Sequence, residues 1–413
     1  MRWLGLGSLV LVAACASSEA SAPSATDDGL TSIEPTAAIQ QAIPNCWDFA
    51  TTGWIESMAK GVEGGTEVDL SEAYVDYLAW LIQLWQPDFA TLRQAGFWGT
   101  AVELLHRYGW MSESDFLGLD GDSPEFAIRH QQAKALIDIE LASGDLRTPE
   151  LRADTANVIA VLNRVWQLPP EVAADLTRTF GAGMEKTLQS RGVDLSGTRI
   201  HRLDEIKIGY GPRGKALTAA DVVGTLAPGA RMASGQRVGA YAFSGVNRMP
   251  TDDAEMDALL ARVQRALAGG LPVPMALIQD DSLDDATGTY RKPASGKLAD
   301  TAYAHLVTVF DSSVDAPGFG LLPAGTPETR PEALAASFAA GAKVIALRAR
   351  NTYWGSYRRG ATIPFAGSPG TNDYTTEYLK TMTEEKGTGR PRRVVGAFVL
   401  PNEPDVVIAK ARR

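Results

Sequence analysis

The order of helical and strand-forming segments constrains the fold of this chain more than any other feature. Up to about residue 195, apolar residues recur at helical spacing. The helical segments are 46–60, 73–84, 101–108, 126–142, 148–168 and 170–190. From about residue 200, short β-branched runs are bounded by Gly, Pro, Asp and Asn. These runs are 206–210, 237–243, 273–278, 304–310, 344–349 and 394–399, with one amphipathic helix at 252–267. Helices followed by strands predict an α+β fold with a mostly antiparallel sheet, not a doubly wound α/β fold.

Charge and motif content exclude several classes of partner. The 413 residues carry a formal net charge of −10, and no cluster of Lys and Arg is long enough to form a nucleic-acid patch. No Gly-x-Gly-x-x-Gly follows a strand and no Walker motif occurs, so a nucleotide cofactor is not indicated. We therefore predict a soluble globular domain with no cofactor, no metal and no nucleic-acid partner.

The first residues have the pattern of an export signal. Arg2 precedes an apolar run at 4–14, which is too short to span a bilayer core of roughly 30 Å. The run ends in Val12-Ala13-Ala14-Cys15, which resembles a bacterial lipobox. That resemblance implies cleavage before Cys15 and a lipid on its sulfur, which would anchor the protein to a membrane of the cell envelope. The alternative is a plain secretory signal in which Cys15 is discarded, and both interpretations predict export.

Cysteine usage then directs attention to Cys46. The stretch 15–34 is rich in Ser and Ala and is expected to be a flexible tether. If Cys15 carries lipid, Cys46 is the remaining thiol and no disulfide framework exists. Pro44 and Asn45 are typical of a helix start, so Cys46 is predicted in the first helical turn. There the helix dipole and unpaired N–H groups lower a thiol pKa, whereas a buried apolar cysteine would be inert.

The residues around Cys46 resemble a known family. Gln40, five intervening residues, and then Cys46, Trp47 and Phe49 resemble the Gln/Cys-Trp-x-Phe signature of papain-like cysteine peptidases. The resemblance implies that Cys46 is the nucleophile and that Gln40 and the Cys46 N–H form the oxyanion hole. Donors of that kind contribute about 3–4 kcal/mol of transition-state stabilisation.

Two later segments agree with this resemblance in order. The segment 68–72 is similar to the family's Leu-Ser-Glu start of the second helix. The segment 96–101, followed by Tyr108 and Gly109, is similar to its glycine-containing substrate strand and next helix. The resemblance implies that Ala95, Gly96 and Trp47 bind an extended peptide through backbone hydrogen bonds and ring contact.

A thiolate nucleophile requires a base, and four histidines are available. His106 and His130 lie in helical segments and are interpreted as surface or structural histidines, while His201 opens a short β segment. The segment 268–273 resembles the family's Gly-x-Pro-Val turn, and His305 then begins a strand. This implies that His305 is the general base; the alternative is a strand histidine that faces solvent.

The third catalytic group is Asn351. It precedes Thr352-Tyr353-Trp354-Gly355, which resembles the family's Asn-Ser-Trp-Gly segment and implies that Asn351 orients the imidazole. A plain turn residue is the alternative, and Tyr353 in place of Trp leaves open which ring covers the His–Asn contact. Asp48 replaces a small residue of the family pattern, and either a local hydrogen bond or a substrate subsite for cationic groups would account for it.

The resemblance implies a papain-like two-lobed fold with an extra helical insertion. We predict a signal peptide at 1–14, a tether at 15–34, a helical lobe at 35–123, the insertion at 124–235 and a β lobe at 236–413. The implied function is an exported cysteine peptidase that hydrolyses peptide or protein substrates through a Cys–His–Asn triad and an acyl-enzyme. The alternatives are an amidase or acyltransferase that uses the same triad, and a papain-like binding lipoprotein without catalysis.

Overall fold

The computed structural model describes most of the chain between residues 33 and 401. The described residues are 33, 41, 43–60, 68–85, 91–119, 124–181, 195–210, 216–223, 243–245, 250, 252–280, 282–284, 287–299, 302–326, 328–352, 370–384 and 391–401. The predicted signal peptide, nearly all of the predicted tether, Cys15, Gln40 and Tyr353 lie outside this set. No helix within the described ranges is long and apolar enough to cross a membrane.

Helices dominate the first half of the described chain. They are α1 (Cys46–Ala59), α2 (Glu72–Trp85), α3 (Trp98–Tyr108), α4 (Glu113–Phe116), α5 (Pro124–Ala142), α6 (Pro149–Ala153), α7 (Thr155–Val165) and α8 (Pro170–Phe180). The short helices α9 (Ala219–Val223), α10 (Asp253–Ala268), α11 (Pro331–Ser337) and α12 (Thr376–Leu379), and a 3₁₀ turn at Leu203–Glu205, occur later.

Local caps explain where these helices begin and where the predictions were wrong. The segment 148–168 was predicted as one helix but forms two. The Asp154 side chain caps α7 by accepting hydrogen bonds from the N–H groups of Ala156 and Asn157, and Thr148 caps α6. The start of α2 agrees with the sequence, because Ser71 Oγ accepts a hydrogen bond from the Tyr74 N–H at 3.0 Å. Of the predicted helix 170–190, the part beyond residue 181 lies outside the described residues.

Strands occupy the second half. They are β1 (Lys207–Tyr210), β2 (Ala216–Thr218), β3 (Phe243–Gly245), β4 (Val273–Gln279), β5 (Leu283–Asp284), β6 (Thr289–Tyr290), β7 (Tyr303–Ala316), β8 (Gly320–Leu322), β9 (Lys343–Arg350), β10 (Thr371–Thr375), β11 (Met382–Glu384), β12 (Pro391–Arg393) and β13 (Val395–Pro401). The largest sheet has the order β3-β13-β4-β7-β9-β10-β6-β5, with β8 beside β7. Its described pairs are antiparallel except β6 and β10. The predicted α+β class and mostly antiparallel sheet are confirmed.

The second half also contains more helix than predicted. The sequence indicated one helix after residue 200, and it is present as α10, capped by Asp252. However, α9, α11 and α12 also interrupt the strands. Pro331 at the first turn of α11 and the Thr375 cap of α12 are local start signals for helices too short to show periodicity.

The helix α1 is the centre of the molecule. Every residue in it except Cys46 is buried, which is typical of a helix enclosed on all sides. It packs against β7 on one side and α2 and α3 on the other. The Thr308 hydroxyl on β7 donates to the Ala50 carbonyl on α1 at 2.7 Å, and the Trp54 indole donates to the Pro272 carbonyl at 2.8 Å. The N-terminal end of α1 is therefore held against the sheet.

One continuous hydrophobic core joins the two halves. It runs from Phe126 and Trp166 in the helical segments, through Trp54 of α1, to Leu277 and Val309 in the sheet. The predicted division at residues 124 and 235 remains a prediction.

Candidate active site

Cys46 is the first residue of α1, as the sequence predicted. It is the one partly exposed residue of that helix, because its side chain reaches the surface of a cavity. The preceding Asn45 is fully buried and makes no side-chain cap hydrogen bond to the helix. At this helix end the Cys46 side chain therefore faces the cavity, whereas the Asn45 side chain is buried in the interior.

A cavity of about 730 Å³ lies beside this helix end. It is bounded by α1, the segment 95–99 and strands β4, β7 and β13. Its lining includes Gln41, Pro44, Cys46, Trp47, Ala95, Gly96, Phe97, Trp98, Pro274, Ala276, Leu277, Tyr303, His305, Leu306, Arg392, Gly396 and Val399. The size and mostly apolar walls are typical of a site for a small molecule or a few residues of a peptide.

His305 lines the same cavity and bonds to Asn351. It lies on β7, while Asn351 follows the end of the adjacent strand β9. His305 Nε2 and Asn351 Oδ1 are 2.8 Å apart. The Asn351 amide nitrogen donates to Asn372 Oδ1 at 2.9 Å, so Asn351 Oδ1 is the acceptor and Nε2 carries the ring hydrogen. In the neutral imidazole, Nδ1 is then the basic nitrogen.

Further hydrogen bonds fix this pair in place. Tyr374 OH accepts from the Asn351 amide at 3.4 Å and donates to Gln279 Oε1 at 2.9 Å. The Gln279 amide donates to Tyr303 OH at 2.9 Å, and the Tyr303 ring contacts the His305 ring edge to face, with centroids 5.8 Å apart. The imidazole of His305 is therefore held by two contacts of one network, the hydrogen bond to Asn351 and the ring contact with Tyr303. Together they fix the orientation of the ring.

The thiol itself is held in its neutral form by its surroundings. Burial raises the pKa of Cys46 to about 11, although backbone hydrogen bonds from Leu306, Cys46 and Trp47 lower it. The sequence predicted that the helix start would lower the thiol pKa. Backbone N–H groups do lower the pKa, but desolvation by burial outweighs them, so the predicted net lowering is wrong.

The three residues assigned to substrate binding meet at one wall of the cavity. The Trp47 indole donates to the Gln94 carbonyl at 2.8 Å. Gly96 lies against the same ring, and a Cβ at this position would come within 2.6 Å of it. Ala95, Gly96 and Trp47 all line the cavity with Cys46. The close approach explains why position 96 requires glycine.

Gln40 lies outside the described residues, and its neighbour Gln41 has other partners. The Gln41 N–H donates to the Thr352 carbonyl at 3.0 Å. The Gln41 side chain accepts from the Thr352 hydroxyl at 2.8 Å and donates to the Ile43 carbonyl at 3.2 Å. These bonds tie the chain before α1 to the segment after Asn351, so the residues that flank Cys46 and Asn351 are fixed to each other.

The other histidines lie outside the cavity lining. His201 stacks on Trp110, with ring centroids 4.8 Å apart, and pairs with Glu205. His106 is partly buried on α3, and burial lowers its pKa. His130 is fully buried, and its Nε2 is 2.6 Å from Asp76 Oδ2. The interpretation of His130 as a structural histidine agrees with these contacts.

Asp48 belongs to the cluster around His130. It is fully buried and accepts hydrogen bonds from the Asn45 amide at 3.2 Å and the Phe49 N–H at 2.7 Å. The Asn45 amide also donates to Asp76 at 2.7 Å. Of the two explanations for Asp48, the local hydrogen bond is confirmed. Asp48 is not among the described residues that line the cavity, and no observation supports a substrate subsite for cationic groups at this position.

Several residues of the site were not found from the sequence. Asn372, Tyr374 and Gln279 support Asn351 through contacts 21 to 95 positions distant along the chain, and no local motif marks them. Arg392 also lines the cavity, and its position just before the predicted strand 394–399 was the signal that the sequence offered. Among the described residues, no group of three or more His, Cys, Asp or Glu side chains is arranged to hold a metal ion.

Comparisons with known proteins leave the family open. No family model matches the chain, and no curated protein matches it. Among solved structures, the chain is similar to PepW from Lactobacillus rhamnosis HN001 (DR20), with a TM-score of 0.43 and 13% identity. The similarity covers 91% of this chain and 82% of that chain. A likeness of this size identifies neither family nor activity.

Proposed function

We propose that this protein is a cysteine peptidase that hydrolyses peptide bonds with Cys46, His305 and Asn351. The observation that carries the proposal is that Cys46 and His305 line one cavity while His305 Nε2 bonds to Asn351 Oδ1 at 2.8 Å. A thiol, an imidazole and an orienting amide are the groups of a thiol hydrolase. With this proposal goes a papain-like two-lobed arrangement of the α+β fold.

The reaction begins with proton transfer from the Cys46 thiol to His305. The thiolate attacks the peptide carbonyl carbon, and the Cys46 N–H, with Gln40 as its proposed partner, stabilises the oxyanion. His305 returns the proton to the leaving amine, which departs and leaves an acyl-enzyme. Water then attacks the thioester with His305 as base, and the acid product is released. Asn351 keeps Nε2 protonated and stabilises the imidazolium.

The Cys46 pKa makes this proposal testable. With a pKa of about 11, only about one thiol in 10⁴ is ionised at pH 7 in the absence of a cationic partner. An imidazolium at His305 would stabilise the thiolate and allow reaction at neutral pH. We therefore expect iodoacetamide to alkylate Cys46 rapidly between pH 6 and 8 in the wild-type protein.

The matched variants are His305→Ala and His201→Ala. For His305→Ala we expect the alkylation rate to rise only as pH approaches about 11, while His201→Ala keeps the wild-type profile. Mass spectrometry of the labelled peptide identifies the thiol. A wild-type profile that also rises only near pH 11, and is unchanged in His305→Ala, would contradict the proposal.

A second candidate is a peptide-binding protein without catalysis, and the raised Cys46 pKa favours it. In that case the cavity binds a peptide and the thiol stays neutral. Peptides incubated with the protein would then be recovered intact, whereas a peptidase releases two fragments. Products formed only when an amine acceptor is added would indicate an acyltransferase instead.

We also propose export with a lipid on Cys15, which rests on the sequence alone. Expression in a bacterium with radiolabelled palmitate tests it. The label is expected in the wild-type protein and not in Cys15→Ala. Export of unlabelled wild-type protein would support the plain secretory signal.

A further inference from the structure

Among the described residues that line the cavity beside Cys46, one carries a fixed positive charge. Arg392 on β12 lines the cavity together with Cys46 and His305, and no Asp or Glu is among the described lining residues. The opposite balance holds for the whole chain, whose formal net charge is −10. A cavity with a positive charge attracts anions and repels cations, whereas the acidic remainder of the protein does the opposite.

The neighbouring arginine shows how different the environment of Arg392 is. Successive residues of a strand point to opposite faces. Arg393 is buried and is bound by the Pro250 and Lys380 carbonyls and by Asp253. Arg392 is partly exposed, and within the described part of the chain no side-chain hydrogen bond or ion pair involves it. Its guanidinium is thus available to a bound ligand.

The space around the guanidinium is open toward the cavity. The Arg392 Nη2 lies 3.6 Å from the position a Cβ would take at Gly396, which also lines the cavity. The nearby walls are apolar, with Pro274, Ala276 and Val399. An ion pair formed there is less screened than one on an open surface. The main influences on Cys46 are burial and backbone N–H groups, so Arg392 is placed to act on a substrate rather than on the sulfur.

We propose that Arg392 selects peptides that carry a carboxylate near the bond to be cleaved. This inference rests on the proposed function and names the substrate class of the same cavity. The carboxylate is either an acidic side chain or a free chain end. A guanidinium binds both in the same bidentate manner.

The first experiment measures selectivity. Hydrolysis of paired peptides that differ by Glu or Gln near the cleaved bond is compared, each with a free and an amidated C-terminus. We expect the wild-type protein to favour a carboxylate by about 10- to 100-fold in kcat/KM. A preference for Glu at one position identifies a side-chain site, and a preference for the free end identifies the terminus.

Variants separate Arg392 from other charges. Arg392→Ala is expected to bring the ratio of kcat/KM for the carboxylate peptide to that for its neutral counterpart close to one. Arg392→Lys should retain part of this preference, and Arg392→Glu should replace it with a preference for Lys peptides. Lys292→Ala removes an exposed positive charge outside the described cavity lining and is expected to keep the wild-type ratio. Equal Glu-to-Gln ratios in the wild type and Arg392→Ala would overturn the proposal.

A binding measurement distinguishes failure of this inference from failure of the proposed function. In Cys46→Ala, calorimetry with the same intact peptides needs no catalysis. Tighter binding of the carboxylate peptide, lost in the Cys46→Ala, Arg392→Ala double variant, supports the inference even if no peptide is cleaved. If Cys46→Ala and the double variant bound the carboxylate peptide with equal affinity, the role proposed for Arg392 would be rejected, even if the wild type is an active peptidase.

Discussion

Two buried histidines, each bound to a side-chain oxygen, show how the same residue serves different purposes in the two halves of the molecule. His305 in the sheet is bound by the neutral amide of Asn351 and lines a cavity. His130 among the helices is bound by the carboxylate of Asp76 and packs between the rings of Phe126 and Trp166. The first imidazole therefore has one face of its surroundings open to a cavity, whereas the second is enclosed by other side chains.

The difference extends to what each network connects. The His305 network ends at a surface that a substrate can reach. The His130 network joins α5 and α2 to Asn45 and Asp48 at the start of α1. It therefore supports the start of α1 from the interior, through α2 of the predicted helical lobe and α5 of the predicted insertion. Removal of the first network is expected to affect reactivity, and removal of the second to affect stability.

The largest expected effect is on reactivity at His305. We expect His305→Ala to reduce hydrolysis at pH 7 by a factor of 10³ or more, because the thiol loses its base. The thermal midpoint is expected to change little. Steady-state kinetics and circular dichroism on the same samples measure both. If His130→Ala reduced kcat at unchanged stability while His305→Ala had no effect, the assignment of the two roles would be wrong.

The next effect is on stability at His130. We expect His130→Ala to lower the free energy of unfolding by about 3–5 kcal/mol, because it removes a hydrogen bond to the buried Asp76 carboxyl and leaves a cavity between the aromatic rings. Urea denaturation measures the loss. The Asp76→Asn, His130→Ala double variant is the control and should lose less than the sum of the single changes. Additive losses would contradict a direct pair.

Asn351→Ala is expected to have an intermediate effect. It removes the bond that holds Nε2 and should reduce kcat by roughly 10- to 100-fold, which corresponds to about 1.4–2.7 kcal/mol. Because the amide positions the base, we expect the pH dependence of kcat/KM to change shape and KM to change little. Asn351→Gln, which keeps an amide, tests rescue. A uniform loss with an unchanged pH profile would indicate a merely structural role.

The helical half should also respond to pH through its buried carboxyl groups. Desolvation raises the pKa of Glu72, Glu113 and Asp48 well above the usual values, so these groups are protonated in the folded protein at pH values where they are ionised in the unfolded chain. Stability is then greatest at low pH and falls as pH rises toward the folded pKa values. We expect a higher thermal midpoint at pH 5 than at pH 8. Glu113→Gln should reduce this difference in thermal midpoint. A wild-type midpoint that is higher at pH 8 than at pH 5 would contradict the prediction.

The smallest expected effect concerns the link between the two halves. Thr308→Val removes the hydrogen bond from β7 to the Ala50 carbonyl on α1 and should cost about 1 kcal/mol. Because the two elements carry the nucleophile and the base, kcat should fall more than stability implies. Thr287→Val, at an exposed hydroxyl bonded to Asp284, is the control. Equal effects of the two variants on kcat would show that the link has no influence on the site.

The sequence predicted those features that depend on local chemistry. The helix start at Cys46, the strand that carries His305 and the position of Asn351 after a strand all follow from short-range patterns. The features that it did not predict depend on distant contacts. His130 reaches Asn45 across 85 positions, and Tyr374 reaches Gln279 across 95. The sequence around these residues does not identify their partners, because the partners are brought together only when the whole chain packs.

The sequence also failed to predict features that depend on single capping side chains or on the extent of burial. The break at Asp154 depends on one side chain that caps a helix better than it continues one. The raised pKa of Cys46 depends on how completely the helix end is buried, which the sequence does not report. Arg392 was overlooked because an arginine in a short strand is ordinarily solvated, and only the arrangement of β4, β7 and β13 shows that it faces a cavity.

The placement of Cys46 on α1, of His305 on β7 and of Asn351 just after β9 has a consequence for biosynthesis. More than half of the chain separates Cys46 from Asn351. At typical translation rates, about 15 to 60 s pass between the synthesis of these two residues. During that interval the growing chain contains the thiol without its partners. The proposed activity therefore cannot arise before Asn351 has been synthesised, so the order of residues along the chain delays hydrolysis relative to the synthesis of the thiol.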